Sequence, residues 1–393
     1  MKKMFFWFLL FLIMYLVIEL ISFLGLRYFE FKKAVGYRPI FHRLSEEKRQ
    51  EIELIASSKS PYFIHDPLLG WTVKPNSSSK NTTVNSQGLR GDREYSSHPP
   101  MDKIRIAAFG ESFTQGAGVP NEDTWEEKLV KFNPKLEVLN FGIGGYGLDQ
   151  AFLRYQKEGT QLHPKIIVIA YMTENINRNV SVFRPFYHYS TGIPFTKPRF
   201  IIERDKLVLI ENPSLSPSDY RLLLHPSKET LARITKYDYF FKTYYTGFHN
   251  LFPSLRLLEI LYGNYIEHSD YSRGIIYGGN YNAKSEAFLV TLKIFEDFYQ
   301  SVLQNNSEPL IIIYPDSHDI ERYRKHHTKK YAVLLDQLNA KNYRVVDLMG
   351  AFETFGKGYP IRTIFGEDGH YSAIGNEIVA KYLNDYLIKN HLV

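Results

Sequence analysis

The stretch "IRIAAFGESFTQGAGVP", residues 104–120, decides the fold. Its apolar run ends at Gly110, and Ser112 follows before more glycines. A continuous apolar run of this length is typical of a strand buried on both faces, as in a parallel sheet. Such runs occur five times: "KIRIAAFG" (103–110), "LEVLNFG" (136–142), "KIIVIAYM" (165–172), "PLIIIYP" (309–315) and "YRVVDL" (343–348). Segments with helical patterns lie between them, so the sequence predicts a doubly wound α/β fold.

Polar and glycine residues follow these strands at the point where each strand ends. Ser112 follows the first, Gly145 in "NFGIGGYG" follows the second, and Asn175 in "TEN" follows the third. Asp368 and His370 in "GEDGHYSAIGN" come after the fifth. Because ligands bind at the carboxyl ends of the strands in an open α/β sheet, we expect these residues to meet at one edge.

Acyl transfer needs this set of residues. A serine hydroxyl is a weak nucleophile until a base takes its proton, and His370 would be that base for Ser112. Asp368 would fix the tautomer of His370 and stabilise the imidazolium. The backbone N–H groups of Ser112 and Gly145 and the side-chain amide of Asn175 would donate to the oxyanion of the tetrahedral intermediate.

The same residues resemble a known family. "FGESFTQGAGV", "NFGIGGYG", "TEN" and "DGH" with "SAIGN" are similar, in this order, to the four blocks of the SGNH (GDSL-like) hydrolases, over residues 104–385. The segment "LGWTVKPN…NSQGLRGDREY" also resembles the region before the catalytic domain in membrane-anchored bacterial members. The resemblance implies a three-layer α/β/α, flavodoxin-like fold with a five-stranded parallel sheet of order 2-1-3-4-5. It also implies ester hydrolysis or acyl transfer outside the cytoplasm.

Three departures from the family pattern stand out. Glu111 occupies the position where the family usually has aspartate, and Thr173 replaces the usual glycine of the third block. The acid Asp368 lies two residues before His370, whereas many members have three. Glu367 has that other spacing, so either Asp368 or Glu367 is the candidate acid.

The N-terminus is nearly continuous apolar sequence from Met4 to Leu26. This length spans a bilayer, exceeds the apolar core of a signal peptide and is followed by no Ala-x-Ala cleavage site, so an uncleaved transmembrane anchor is favoured. Glu19 lies inside the span and needs a partner helix or a position near the interface. Basic residues flank both ends, so the charge distribution does not decide the orientation. The resemblance implies an extracytoplasmic domain on the inner membrane of a bacterium.

The rest of the chain divides into further segments. We expect residues 1–26 to form the anchor, 27–60 a juxtamembrane helical stalk, 61–100 a strand and turn extension, and 101–393 the hydrolase domain. An insertion follows the third strand at about 180–281; it contains a predicted hairpin around Asp205 and Lys206 and the aromatic stretch "KYDYFFKTYYTGFHNLF". For that stretch, core packing is the first interpretation, with sugar stacking or contact with a membrane surface as alternatives.

Composition excludes several classes of function. The chain has no cysteine, which excludes disulfides, thiol nucleophiles and thiolate metal sites. The formal charge of +6 is spread out, with no nucleic-acid-binding signature. "KHH" at 325–327 lacks a spaced partner for a metal, and His318 in "PDSHD" is a structural candidate rather than the base. We therefore expect no cofactor and no metal.

These observations predict a membrane-anchored serine esterase that acts on an O-acylated polysaccharide or lipid of the cell envelope. One alternative is an O-acetyltransferase of cell-surface polysaccharide that works with a multi-span membrane acyltransferase. A second alternative is an inactive carbohydrate-binding or assembly protein on the same fold, which the departures at Glu111 and Thr173 motivate.

Overall fold

The computed structural model describes residues 2–33, 44–188, 191–245, 251–262 and 274–393. In chain order its strands are β1 (Phe63–Asp66), β2 (Gly70–Val73), β3 (Ser78–Ser79), β4 (Thr82–Thr83), β5 (Ile104–Gly110), β6 (Leu136–Gly142), β7 (Ile166–Met172), β8 (Arg199–Glu203), β9 (Lys206–Ile210), β10 (Ile276–Tyr277), β11 (Asn280–Tyr281), β12 (Glu308–Tyr314) and β13 (Val345–Asp347).

The α-helices are α1 (Lys2–Lys33), α2 (Glu46–Ala56), α3 (Ser112–Gln115), α4 (Trp125–Phe132), α5 (Leu148–Glu158), α6 (Lys228–Thr235), α7 (Tyr239–Tyr245), α8 (Pro253–Leu261), α9 (Glu286–Gln304), α10 (Ser317–His326), α11 (Ala332–Ala340), α12 (Met349–Thr354), α13 (Ile361–Ile364) and α14 (Ala373–Lys389). Short 3-10 helices occur at Asn121–Asp123, Thr173–Ile176, Arg178–Val180, Arg184–Phe186 and Pro217–Leu223.

A five-stranded sheet in the order β13-β12-β7-β5-β6 forms the centre of the domain. All four pairings are parallel. Numbered from the first strand of the sheet, this order is 2-1-3-4-5, so the predicted fold class is confirmed. The five predicted strands match the observed ones, and the largest difference is at the last, which is shortened to Val345–Asp347.

Helices cover both faces of the sheet, because alternate side chains of each strand point to opposite sides. In β5, Ala107 and Phe109 join one apolar cluster with residues of α5, α9 and α11. Ile106 and Ala108 join a second cluster with residues of α4, α10, α12 and α14. The molecule therefore has the predicted three layers, and every sheet strand can be apolar throughout because neither face meets water.

The segment before β5 packs on the first of these clusters. Ile52 and Ile55 of α2 are buried in it, whereas Leu54 is 41% exposed. Trp71 of β2 is buried in the same cluster, and β1 pairs with β2 in an antiparallel hairpin. Residues 34–43, part of the predicted stalk, lie outside the described residues.

The segment between β7 and α9 contains the predicted hairpin. Strands β8 and β9 pair with Glu203 opposite Lys206. The turn residues Arg204 and Asp205 have φ values of 49° and 62°, as a two-residue turn with both central residues left-handed requires. Part of the aromatic stretch packs inward as first interpreted, since Phe240 is buried and stacks on Tyr187 with the ring centroids 4.2 Å apart.

One helix in the described part of the chain, α1, is long and apolar enough to cross a membrane. The apolar stretch covers Lys2–Tyr28, 27 residues. Nearly all of its large side chains are exposed, for example Phe8 at 64% and Ile21 at 62%.

Candidate active site

The nucleophile candidate lies at the junction between β5 and α3. Glu111 is the N-cap of α3, and its Oε2 accepts the N–H of Phe113 at 3.0 Å. Ser112 is therefore the first residue of the helix, at the carboxyl edge of the sheet. Its side chain is buried, with 8% of the residue exposed. Backbone N–H groups at such a junction favour negative charge that develops nearby.

Ser112, His370 and Asp368 lie in line at this edge. Ser112 Oγ is 2.8 Å from His370 Nε2, a hydrogen-bond distance across 258 residues of sequence. His370 Nδ1 lies 3.2 Å from Asp368 Oδ2, an ion-pair distance, but the two groups are not aligned as a hydrogen bond. The backbone N–H of His370 donates to Asp368 Oδ1 at 3.1 Å. The neighbouring His370 side chain and this N–H lower the pKa of the Asp368 carboxyl, so the group stays ionised at neutral pH. Glu367, the other candidate acid, is exposed.

Glu111 and His370 both lie within hydrogen-bond distance of the Ser112 hydroxyl. Ser112 Oγ is 3.0 Å from Glu111 Oε2, so its single proton can be donated either to that carboxylate or to His370 Nε2. Glu111 is 1% exposed, and burial raises the pKa of its carboxyl. The longer side chain thus caps α3 and reaches back to Ser112 with the same oxygen.

Gly145 occupies a position that only glycine tolerates. Its φ is 83°, and a Cβ there would lie 2.5 Å from Ile193 Cδ1. Trp71 stabilises the loop that carries Gly145, because its Nε1 donates to the carbonyl of Gly144 at 3.3 Å. Gly145 and Ser112, which follow two different strands, line one cavity.

Asn175 is buried in the 3-10 helix Thr173–Ile176, directly after β7. Neither atom of its side-chain amide has a hydrogen-bond partner in the described part of the chain. Its neighbour Glu174 lines the cavity, whereas Asn175 itself is not among the lining residues. An unsatisfied buried amide costs about 1–3 kcal/mol, which suits a donor whose acceptor forms only during reaction.

Asn175→Ala is expected to lower kcat by about 10²- to 10³-fold with little change in KM, because one oxyanion donor is lost. Steady-state kinetics with a short-chain aryl ester measures this. Asn179→Ala is the contrasting variant: its amide donates to Thr291 Oγ1 at 2.8 Å, so that change should lower the thermal midpoint of unfolding first. Equal kcat for wild type and Asn175→Ala would contradict the oxyanion role.

Gly118 lies directly against the carboxylate of Asp368. Its φ is 86°, and a Cβ would lie 2.5 Å from Asp368 Oδ2. The nucleophile loop and the acid-base loop therefore fit together only with glycine at this position.

Gly118→Ala is expected to lower kcat about 10- to 100-fold, because the methyl group displaces Asp368 from His370. The matched control is Gly278→Ala, which has a φ of 55° and no atom within 4 Å of the added Cβ. Both variants carry the backbone cost of a left-handed alanine, about 1–2 kcal/mol. If both lower kcat equally, contact with Asp368 is not the cause.

Sequence reasoning missed Arg90, which holds the loop after α3. Its guanidinium donates to the carbonyls of Gln115, Gly116 and Val119, the latter two at 2.6 Å. Arg90 is 6% exposed, and its backbone N–H donates to Asn140 O of β6 at 3.1 Å. The sequence shows only that an arginine precedes the first core strand. The three acceptors of its guanidinium are backbone carbonyls, which a sequence pattern does not reveal.

A cavity of about 490 Å³ opens at Ser112 and His370. One wall contains Glu174, Arg178, Arg184 and His188. Burial raises the pKa of Glu174, but the neighbouring Arg178 and Arg184 outweigh it and the net pKa is lowered. Burial and the same arginines lower the pKa of His188 to about 4, so this ring is neutral at pH 7.

His318 lines the same cavity, but the ring within hydrogen-bond distance of Ser112 Oγ is that of His370. No group of three or more His, Asp or Glu side chains that could hold a metal occurs among the residues that the structure describes.

Several solved structures are similar to this chain at low sequence identity. A putative lipolytic protein of the G-D-S-L family from Desulfitobacterium hafniense is 10% identical, with 72% of this chain and 99% of that chain covered and a TM-score of 0.37. An acetyl xylan esterase is 12% identical, with coverages of 72% and 100% and a TM-score of 0.37. A lipase/acylhydrolase from Enterococcus faecalis is 14% identical, with coverages of 72% and 95% and a TM-score of 0.35. No family model and no curated protein sequence matches the chain.

Proposed function

We propose that the protein is a membrane-anchored serine esterase that works through an acyl-serine intermediate. The observation that carries this proposal is the arrangement of Ser112, His370 and Asp368, with separations of 2.8 Å and 3.2 Å, at the mouth of a cavity. A fold kept only for binding does not need a nucleophile–base–acid line. The geometry therefore favours an enzyme over the inactive alternative.

In the first half-reaction, Ser112 Oγ attacks the ester carbonyl carbon while His370 Nε2 takes the hydroxyl proton. The carbonyl oxygen becomes an oxyanion, which the N–H groups of Ser112 and Gly145 and the Asn175 amide stabilise. Asp368 holds the imidazolium through Nδ1. The carbon–oxygen bond to the alcohol then breaks, His370 returns the proton to the leaving alcohol, and the acyl group stays on Ser112.

In the second half-reaction, a hydroxyl compound resolves the acyl-serine. His370 Nε2 takes its proton, its oxygen attacks the acyl carbon, and Ser112 leaves with the proton returned. Water as the acceptor gives a free acid, and a sugar hydroxyl gives a new ester. The wall of Glu174, Arg178 and Arg184 suits polar alcohol groups, which supports an O-acylated glycan or the head group of a lipid as substrate.

We also propose that α1 anchors this chemistry at a membrane. Helix α1 supplies 27 residues of apolar length, and about 20 span a bilayer core. The motifs of the active site resemble those of enzymes that act outside the cytoplasm. We therefore propose a single-pass protein of the bacterial inner membrane with its active site facing the envelope.

Purified full-length protein in nanodiscs tests the activity. It should hydrolyse an aryl acetate. A mixture of this acetyl donor with an acetyl-free oligosaccharide then distinguishes the esterase from the O-acetyltransferase. Release of acetate without acetylated sugar supports the esterase, whereas acetylated oligosaccharide in excess of acetate supports the O-acetyltransferase. Absence of both products, with Ser112 also unreactive, would leave the inactive alternative.

A further inference from the structure

The anchor helix is in contact with a helix of the insertion. Glu19 of α1 accepts two hydrogen bonds from Ser254 of α8, one from the backbone N–H at 3.0 Å and one from Oγ at 2.6 Å. Tyr15 meets Phe252, with ring centroids 6.5 Å apart. On the same side of α1, Ser22 and Leu26 are buried, whereas Ile21, Leu24 and Arg27 are exposed. The contact therefore runs along one stripe of the apolar span.

The order of these contacts gives the depth of α8. Phe252 lies at the level of Tyr15, Ser254 at the level of Glu19, and Leu257 beside Gly25, so α8 runs parallel to α1. With a rise of about 1.5 Å per residue, Tyr15 lies about 20 Å along α1 from Tyr28, the end of the apolar stretch. The hydrocarbon core is about 30 Å thick, so the start of α8 reaches the middle of the bilayer.

The outer face of α8 is apolar. Leu251, Leu255, Leu258 and Tyr262 are 67%, 36%, 62% and 44% exposed, and their spacing places them on one face of a helix. Arg256 is 1% exposed and does not belong to this face. The other charged residue of the helix, Glu259, lies in its last turn, at the end nearer to the domain.

Two backbone positions at the start of α8 meet the requirement that hydrocarbon imposes on a helix end. In lipid, every N–H must have a partner, and the first turn of a helix has none within the helix. Pro253, the first residue, has no N–H, and the next donor, Ser254, is taken up by Glu19. The same contact explains why a carboxylate occurs inside an apolar span, since it has a partner from its own chain.

We propose that residues 251–262 form a re-entrant membrane segment, which enters the bilayer beside α1 and presents its leucine face to lipid acyl chains. This proposal rests on the proposed anchoring by α1. The segment ties the insertion to the membrane, and the insertion also reaches the active site. Phe240 of α7 stacks on Tyr187, and the next residue, His188, lines the cavity. Packed aromatic side chains therefore join α7 of the insertion to the wall of the cavity.

Single-cysteine spin labelling tests the proposal, since the chain has no native cysteine to remove. Full-length Leu258→Cys is labelled with a nitroxide in phosphatidylcholine–phosphatidylglycerol nanodiscs, and its collision rates with oxygen and with a water-soluble nickel complex are compared. Leu20→Cys, 58% exposed on α1, is the reference for the anchor, and Leu215→Cys, 59% exposed in the insertion, is the aqueous control. All three positions are exposed, so the labels leave the packing intact.

We expect Leu258→Cys to resemble Leu20→Cys, with oxygen collisions dominant, and Leu215→Cys to show dominant nickel collisions. If oxygen collisions dominate at Leu20→Cys but nickel collisions dominate at Leu258→Cys, α1 lies in the membrane and residues 251–262 do not. That result would overturn the re-entrant segment and keep the anchor. Aqueous signals at both would overturn the anchor and the segment together. None of these outcomes depends on esterase activity, so the catalytic proposal is tested separately.

Glu19→Ala provides a second measurement. Removing the acceptor of the two Ser254 hydrogen bonds should loosen α8 from α1. The label at Leu258→Cys should then become more mobile and gain nickel collisions, while hydrolysis of a soluble aryl ester is unchanged. An unaltered label in Glu19→Ala would contradict the role given to this contact.

Discussion

Replacing Ser112 by alanine is expected to abolish ester hydrolysis, with kcat lowered about 10⁴- to 10⁶-fold. Loss of the nucleophile from a serine–histidine–acid arrangement leaves only the contribution of binding and of the oxyanion donors. Ser112 Oγ contacts His370 Nε2 and Glu111 Oε2, so the small truncation removes the reacting atom and leaves the N-cap bond from Phe113 in place. Release of phenol from an aryl acetate measures the effect.

The matched control for Ser112→Ala is Ser218→Ala. Ser218 is exposed, lies in the 3-10 helix Pro217–Leu223 and has no place in the cavity wall. Its loss should leave kcat unchanged. If Ser112→Ala keeps more than a few per cent of the wild-type rate, another residue carries the acyl group.

Asp368→Asn is expected to lower kcat about 10²- to 10³-fold. The asparagine amide cannot stabilise the imidazolium, and it permits the wrong tautomer of His370. Where the acid is buried, such a change lowers kcat about 10⁴-fold. The side chain of Asp368 is 46% exposed, so water screens part of its effect and the loss should be smaller. Steady-state kinetics at pH 7 to 8, where Asp368 is ionised, measures the change.

Glu367→Gln separates the two candidate acids left open by the sequence. Glu367 is exposed, and the carboxylate found 3.2 Å from His370 Nδ1 belongs to Asp368. Glu367→Gln should therefore keep kcat within about twofold of wild type, as is usual for a surface substitution away from special contacts. A large loss in Glu367→Gln with little loss in Asp368→Asn would reverse the assignment.

The fold could be predicted because its strands carry a strong local signal. The run 136–142 coincides with β6, and the other core strands differ at their ends by one to three residues. The strand β13 is the least well bounded, since it is shortened to Val345–Asp347 within the predicted run 343–348. The expectation that residues from several strand ends meet also followed from topology alone, since parallel strands end at a common edge.

Other features depend on contacts that a sequence pattern does not encode. Glu19 was recognised as needing a partner, but Ser254 lies 235 residues away and is found only by folding. The same Glu111 oxygen caps α3 and lies 3.0 Å from Ser112 Oγ, a double contact that the sequence pattern does not show. Arg90 binds backbone carbonyls, which carry no residue-specific signal. In each case the missing information is a side-chain contact that depends on the folded geometry.

The most direct test of the central claim is to locate the acyl group. A fluorophosphonate that phosphonylates activated serines is added to folded full-length protein, and the modified peptide is identified by tandem mass spectrometry. We expect one modified residue, Ser112, with labelling lost in Ser112→Ala and in heat-unfolded protein. Failure of the folded protein to react at Ser112, or reaction at a different serine, would contradict it.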